Sequence, residues 1–236
     1  MQYFCGKQRI AKPLSEFLNM QLVPGQVFID LFCGSCNVVS NIRSDVKRYA
    51  NDKNKYLPVL FERIQQGMKL PKDVPEEMYY MVKDMPEDTL EQIATKGFVG
   101  FGCSFAGKWW GGYARGGEGR NYAENAYNST MKKAAKMQDV GFFCMDYSDF
   151  ICPEGSLVYC DIPYKGTTQY SAVGDFDHEK FYDWAQQQNG CRILTSEYKH
   201  NVPDGAVIVW EHSSKKDIRN KDGEKEHPIE VLFEFV

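Results

Sequence analysis

Val27-Phe28-Ile29-Asp30-Leu31-Phe32-Cys33-Gly34-Ser35-Cys36-Asn37 is an apolar run that ends on an acid and opens into a loop of small residues. An apolar run closed by such a turn reads as a buried strand. Cys36 to Arg43 follows with helix-like apolar spacing. Lys47 to Ala50 reads as a second short strand ending at Asn51-Asp52, and Asn54 to Gln66 as a helix with Tyr56, Leu57, Leu60, Phe61 and Ile64 on one face. This order of strand, helix, strand, helix predicts an α/β fold built on a largely parallel sheet.

Outward from that stretch the pattern breaks and then resumes. Pro71, Pro75 and Pro86 punctuate short helical pieces up to Lys96. Gly97 to Gly119 holds nine glycines and the aromatics Phe98, Phe101, Phe105, Trp109, Trp110 and Tyr113, a composition unlike the rest of the chain. Asn121 to Gln138 reads as helix. Strands are expected at Val140 to Met145, Leu157 to Cys160, Arg192 to Thr195, Val207 to Trp210 and Glu230 to Phe235, with a helix over Asp177 to Gln188. The simplest organisation is one core, 1–66 with 139–236, carrying an insertion over 67–138.

With 236 residues, 43% apolar and 25% charged, the chain suits a soluble globular domain with at most a modest insertion. Its longest uncharged run, Phe17 to Ile29, is too short to span a membrane. The first residues show no basic-then-apolar leader pattern, so a cytoplasmic location is the expectation. Eight cysteines in that setting read as reduced thiols, and Cys33-x-x-Cys36 as part of the loop rather than a redox or zinc motif. The four histidines show no ligand spacing, and no metal is expected. The net charge of −4 hides an asymmetry. Residues 96–136 carry seven basic side chains against Glu118 and Glu124, so this segment is +5 and the remainder is −9. That is a polyanion signal, with a solvated surface as its bland alternative.

Ligands of open α/β sheets bind beyond the carboxyl ends of the strands, where Asp30, Asp52 and Asp161 fall. Asp52 is placed for a ribose diol, and the Gly34 turn lets a ligand approach the backbone. Val158-Tyr159-Cys160-Asp161-Ile162-Pro163-Tyr164 is sharper: an apolar strand delivers an acid, a proline and an aromatic within four residues. Asp161 to Tyr164 resembles the (Asp/Asn/Ser)-Pro-Pro-(Tyr/Phe/Trp) motif of amino-methyltransferases. Nearly the whole chain is similar to the Dam-type adenine-N6 DNA methyltransferases, particularly small phage-borne ones, in the family's motif order. Tyr3-x-x-x-Lys7 matches the N-terminal aromatic-x-x-x-Lys element, Asp30 to Asn37 the S-adenosylmethionine loop, and Asn51-Asp52 the ribose-binding acid.

The resemblance implies a Rossmann-like methyltransferase sheet with helices on both faces and an inserted target-recognition domain. It implies transfer of a methyl group from S-adenosylmethionine to the N6 of an adenine flipped out of duplex DNA, as in restriction–modification. A cytosine-N4 enzyme and a catalytically inactive DNA-binding relative are the alternatives. Catalysis would fall to Asp161, Ile162, Pro163 and Tyr164, and cofactor binding to Tyr3, Lys7, Asp30, Phe32, Gly34, Asn37, Asp52 and Asp161. The Asp161 carboxylate and the Ile162 carbonyl would accept the two amine N–H bonds, and Tyr164 would stack on the base. Lys108, Trp109, Tyr113, Arg115 and Arg120 are the expected DNA contacts. The phenylalanines nearby read as a small core and the tryptophans as base-stacking groups. Lys132, Lys133 and Lys136 read as a phosphate track or a solvated face. A loop of Thr167, Thr168, Gln169 and Tyr170 is expected to close over the base. A monomer or weak dimer is expected. Two positions depart from the pattern: Ile162 stands where the family has its first proline, and Cys36 where the loop has another glycine, which predicts slight crowding of the cofactor.

Overall fold

The computed structural model describes residues 7–116, 121–166, 176–213 and 229–235, with the backbone of 218–219 and 225–226. Tyr3, Arg120 and the 167–170 loop lie outside the described residues. The strands are β1 (Val27–Asp30), β2 (Lys47–Asn51), β3 (Gly141–Phe143), β4 (Leu157–Cys160), β5 (Arg192–Tyr198), β6 (Ala206–Ser213), β7 (Ile218–Arg219), β8 (Lys225–Glu226) and β9 (Ile229–Phe235). Seven of them form one sheet in the order β3-β2-β1-β4-β5-β9-β6, while β7 and β8 pair separately. The pairs β2–β3, β1–β2, β1–β4 and β4–β5 are parallel, and β9 runs antiparallel to both β5 and β6. Strand order reverses between β1 and β4, which opens a crevice beyond their carboxyl ends.

Alternation along the strands divides the core between the two sheet faces. Phe28, Leu157, Tyr159, Leu194 and Leu232 point into one apolar cluster with α1 (Ala11–Gln21), α2 (Tyr56–Gln65), α3 (Glu76–Asp84), α4 (Leu90–Gly102) and α5 (Tyr122–Ala134). Their neighbours Ile29, Val158, Ile193 and Phe233 point into a second cluster with Phe181, Tyr182 and Ala185 of α6 (His178–Gln187). Helices therefore cover both faces of a mostly parallel sheet. The 67–138 segment shares the first cluster: Tyr79 of α3 and Phe98 and Phe101 of α4 pack in it with Leu57 and Leu60 of α2.

Helix starts follow local chemistry. Thr89 and Gln92 form a reciprocal capping box at α4, Asn121 accepts the Glu124 N–H at α5, and Asp177 accepts the Lys180 N–H at α6. Two elements differ from expectation. The helix anticipated over Cys36 to Arg43 is a series of turns with one 3₁₀ turn, Val39–Asn41. Side chains take the backbone groups a helix would use: Asp30 accepts the Val39 N–H at 3.1 Å, and Asn41 donates to the Asn37 carbonyl at 2.9 Å. In its place α1 covers the loop, with the Ser15 hydroxyl on the Val38 carbonyl. Pro13 lies in the first turn of α1, where a missing N–H costs nothing.

The glycine-rich stretch is partly helix. α4 runs through Gly102, and its glycines permit close packing: a Cβ on Gly97 would come within 2.4 Å of the Tyr56 carbonyl oxygen, and one on Gly100 within 2.5 Å of the Trp109 ring. The assignment of its aromatics is corrected. Phe98 and Phe101 are buried as expected, but Phe105 is 66% exposed, on the turn that follows α4. Trp109 is half-buried against Phe101, Trp110 and Tyr56, with ring centroids 4.6, 5.2 and 4.2 Å away. The bare face of α4 at Gly100 accepts the tryptophans, which is why they pack inward.

Candidate active site

The crevice beyond β1, β2 and β4 gathers charge. The Lys7 ammonium lies 3.2 Å from Asp161 Oδ1 and 2.7 Å from Glu230 Oε2, and it also contacts the Tyr164 hydroxyl. Tyr164 in turn donates to Glu230 Oε2 at 3.1 Å. The Lys7 ammonium lies 4.0 Å from the Tyr164 ring centroid, at the hydroxyl end of the ring. Burial opposes the ammonium, yet the Asp161 and Glu230 carboxylates outweigh it and hold Lys7 above the ordinary lysine range. Burial pushes the Asp161 carboxyl up to about 6, against the pull of Lys7 and with the repulsion of Glu230 and Asp52. A carboxylate poised there is an acceptor at neutral pH and remains basic enough to take a proton.

Asp161 follows the last residue of β4, and the residues after it are clamped. Ile162 is buried, so its side chain anchors the tetrapeptide in the core where the motif has proline. His178, at the start of α6, has its Nε2 2.7 Å from the Pro163 carbonyl oxygen. Glu197 is fully buried near the end of β5 and accepts the Lys165 N–H at 2.9 Å and the Tyr198 N–H at 2.6 Å. Tyr164 meets the Tyr198 ring edge-on at 4.7 Å. Neither clamp is evident in the sequence. Glu197 follows Thr195-Ser196, beyond the short apolar pair Ile193-Leu194, so nothing in the sequence signals its burial.

On the other side of the crevice, Asp52 accepts the Gly34 N–H and the Asn54 N–H, both at 2.8 Å. Burial pushes its carboxyl up to about 6 despite those two donors. Each oxygen accepts one N–H and retains acceptor capacity for a hydroxyl. Asp30 is the last residue of β1. It is buried, one oxygen holds the Val39 N–H, and the other has no partner among the described residues. Burial drives its carboxyl well above the usual range. Asn37 donates to the Ser35 hydroxyl at 3.0 Å and closes the loop on itself. Phe32 joins an aromatic group with Tyr147, Phe176 and Phe181, at centroid distances of 5.6, 6.0 and 5.8 Å.

The loop turns on two left-handed residues, Gly34 at φ +46° and Cys36 at φ +56°. The consequence of Cys36 is therefore backbone strain, about 1–2 kcal/mol relative to glycine, and its side chain is fully buried rather than crowding the crevice. Lys133 of α5 neither faces water nor forms a track with its neighbours. Its ammonium donates to the Ser35 carbonyl at 2.7 Å, and burial lowers it to about 8. Lys136 reaches Asn41 Oδ1 at 2.9 Å. Lys133, expected at a surface, thus holds the loop in place, while Lys136 remains exposed.

Of the residues expected at DNA, Lys108 and Arg115 are exposed. Arg115 grips Glu76 through two contacts, one of 3.1 Å from Nε. Tyr113 donates to the Val74 carbonyl at 2.8 Å and packs on Tyr79, and Trp109 is in the packing already described. The structure brings Lys7, Asp161, Tyr164, Gly34 and Asp52 to one crevice and adds Glu230. It gives Trp109 and Tyr113 partners within the protein.

The family model for D12 class N6 adenine-specific DNA methyltransferases matches residues 3–96 and 114–215. No curated protein matches the chain. Among solved structures, a Pyrococcus horikoshii protein assigned provisionally as an RNA methyltransferase is 10% identical with a TM-score of 0.45, covering 99% of this chain and 86% of that one. A Haemophilus influenzae protein assigned provisionally as a methylase is 10% identical with a TM-score of 0.43, covering 99% and 92%. SMU.472, assigned provisionally as a methyltransferase and solved with SAH, is 10% identical with a TM-score of 0.40, covering 98% of this chain and 53% of that one.

Proposed function

This chain belongs to the D12 class N6 adenine-specific DNA methyltransferase family, and from that premise we propose that it transfers a methyl group from S-adenosylmethionine to the N6 amine of an adenine flipped out of duplex DNA. The observation that carries the reading is Asp161, a largely shielded carboxylate just past the end of β4, in one crevice with Asp52 and the Gly34 loop. The residues fit the cofactor: Asp52 retains acceptor capacity for a ribose diol, and the left-handed Gly34 leaves the turn without a side chain. S-adenosylmethionine supplies a methyl group on a positive sulfur, which leaves as a neutral thioether.

The chain's own residues do the rest. Adenine N6 is a weak nucleophile because its lone pair is delocalised into the ring. The Asp161 carboxylate accepts one N–H and the Ile162 carbonyl the other, which localises the lone pair toward the methyl group. N6 becomes positive as the bond forms, and Asp161 takes the proton it then sheds. His178 and Glu197 fix the backbone on either side of Tyr164, so the acceptors need no reorganisation. The 67–138 segment is the proposed DNA-reading part, with Lys108 and Arg115 on its surface, and Tyr3 and Arg120 keep their expected roles in cofactor and DNA binding respectively.

Incubation with mixed-sequence DNA and S-adenosylmethionine, followed by nucleoside mass spectrometry, tests this. N6-methyldeoxyadenosine is the expected product. N4-methylcytosine alone, or methylated RNA alone, refutes the adenine assignment.

A further inference from the structure

Glu230 has no part in the motifs that point to this site, yet its carboxylate is closer to Lys7 than Asp161 is, at 2.7 against 3.2 Å. Topology puts it there. β9 is antiparallel to β5, so its first residues, not its last, reach the carboxyl edge of the parallel strands. Glu230 stands opposite Tyr198 in the β5–β9 ladder, and the Tyr198 ring packs on Tyr164. We propose that Glu230 is a positioning residue of the methyl-transfer site: it holds the Lys7 ammonium and the Tyr164 hydroxyl, so that Asp161 keeps an acceptor oxygen for the target amine. This rests on the proposed reaction and deepens it.

The charge balance gives the reason. Lys7 and Asp161 alone would form a neutral pair in a site where all three groups are largely shielded from water, with 8% of the Lys7, 22% of the Asp161 and 19% of the Glu230 side chain exposed. A neutral pair directs the ammonium wholly at the carboxylate that must accept the amine N–H. Glu230 shares the ammonium and leaves the trio at −1, which favours the positive charge that N6 acquires as the methyl bond forms. The other titratable groups that interact with Asp161 are Asp52, beyond β2, Asp30, at the end of β1, and Tyr159 and Cys160 of β4, none of them a cation. Among the described residues, Lys7 is the cation that Asp161 and Glu230 compete for.

The test measures Asp161 directly by following its carboxyl carbon by NMR across a pH series in the ligand-free protein, which needs no activity. Glu230→Gln keeps length and an acceptor but removes the charge. The Asp161 midpoint is expected to move to lower pH by roughly one unit. In the same variant kcat for methyl transfer is expected to fall on the order of tenfold, as when a group that orients a reacting residue is removed. Glu234→Gln, on the same strand but paired with Arg192, is expected to leave the midpoint in place. Should Glu230→Gln fail to fold, Glu230→Asp withdraws the charge by one methylene and is expected to shift the midpoint part of the way. An unmoved Asp161 midpoint in a folded Glu230 variant overturns the proposal. A shifted midpoint in a protein that methylates no nucleic acid supports the coupling and refutes the reaction instead.

Discussion

Asp161 carries a charge that its surroundings resist, and that resistance has a measurable sign. Its folded-state carboxyl lies near 6 against an ordinary 3.8, so the native state binds this proton more tightly than the unfolded chain. The stabilisation is complete below about pH 4 and is lost as the pH rises through 6. Asp161→Ala removes that dependence. Relative to wild type, its unfolding free energy should rise between pH 4 and pH 7.5 by on the order of 1 kcal/mol, allowing for partial exposure of the group. Methyl transfer should fall at least about a hundredfold, as when a preorganised polar group is removed from a reacting centre. Urea melts at several pH values and steady-state rates check both; parallel pH dependences in the two proteins, or near-normal turnover, would count against the assigned environment. Asp161, Asp52 and Lys7 can be named from sequence because their motifs are local. Glu230 cannot, since its place depends on the direction of β9, which no run of apolar residues encodes. The Cys36 strain is equally hidden, because a backbone angle is set by the loop as a whole.

At the scale of elements, α5 ties the 67–138 segment to the crevice. Lys133 reaches from its last turn to Ser35, and Gln65 of α2 holds the Val140 carbonyl just beyond it at 2.9 Å. Removing the ammonium unpins the loop that carries Gly34. Lys133→Met, similar in volume, should therefore weaken S-adenosylmethionine binding about tenfold, the scale of one hydrogen bond from a charged donor. Its melting temperature should change little. Calorimetric titration with the cofactor decides it: wild-type affinity would reduce Lys133 to a packing residue. Strand positions are legible because alternation onto two buried faces leaves continuous apolar runs. Helical spacing over 36–43 misleads for a related reason. Apolar spacing does not reveal which side chains will take backbone hydrogen bonds, and Asp30 and Asn41 take them here. The tryptophans look like stacking groups in the sequence because the cavity that receives them exists only where Gly100 of α4 faces them.

Across the whole molecule, charge and fold divide the work. The acidic crevice sits at the carboxyl edge of the sheet, while the +5 segment of residues 96–136 is where the proposed duplex would be held. Much of that charge is already engaged within the protein. Lys96 pairs with Glu87, Arg115 with Glu76, Lys133 holds the loop at Ser35, and Lys136 bonds Asn41. The surface available to phosphate is thus smaller than the sequence count suggests. Removing one cation that neutralises a phosphate should lower the log–log salt dependence of DNA binding by about one unit. Lys108→Ala and Arg115→Ala should each weaken binding and flatten that slope while leaving cofactor affinity unchanged. Glu76→Gln should act in the opposite direction, because it releases the Arg115 guanidinium from its carboxylate. An arginine that reads a base instead would relax sequence preference at one position when removed. Fluorescence anisotropy across a salt series, beside a cofactor titration, separates these outcomes. Wild-type binding by all three variants at every salt concentration would place the DNA elsewhere and make this segment a wall of the core rather than its reading surface.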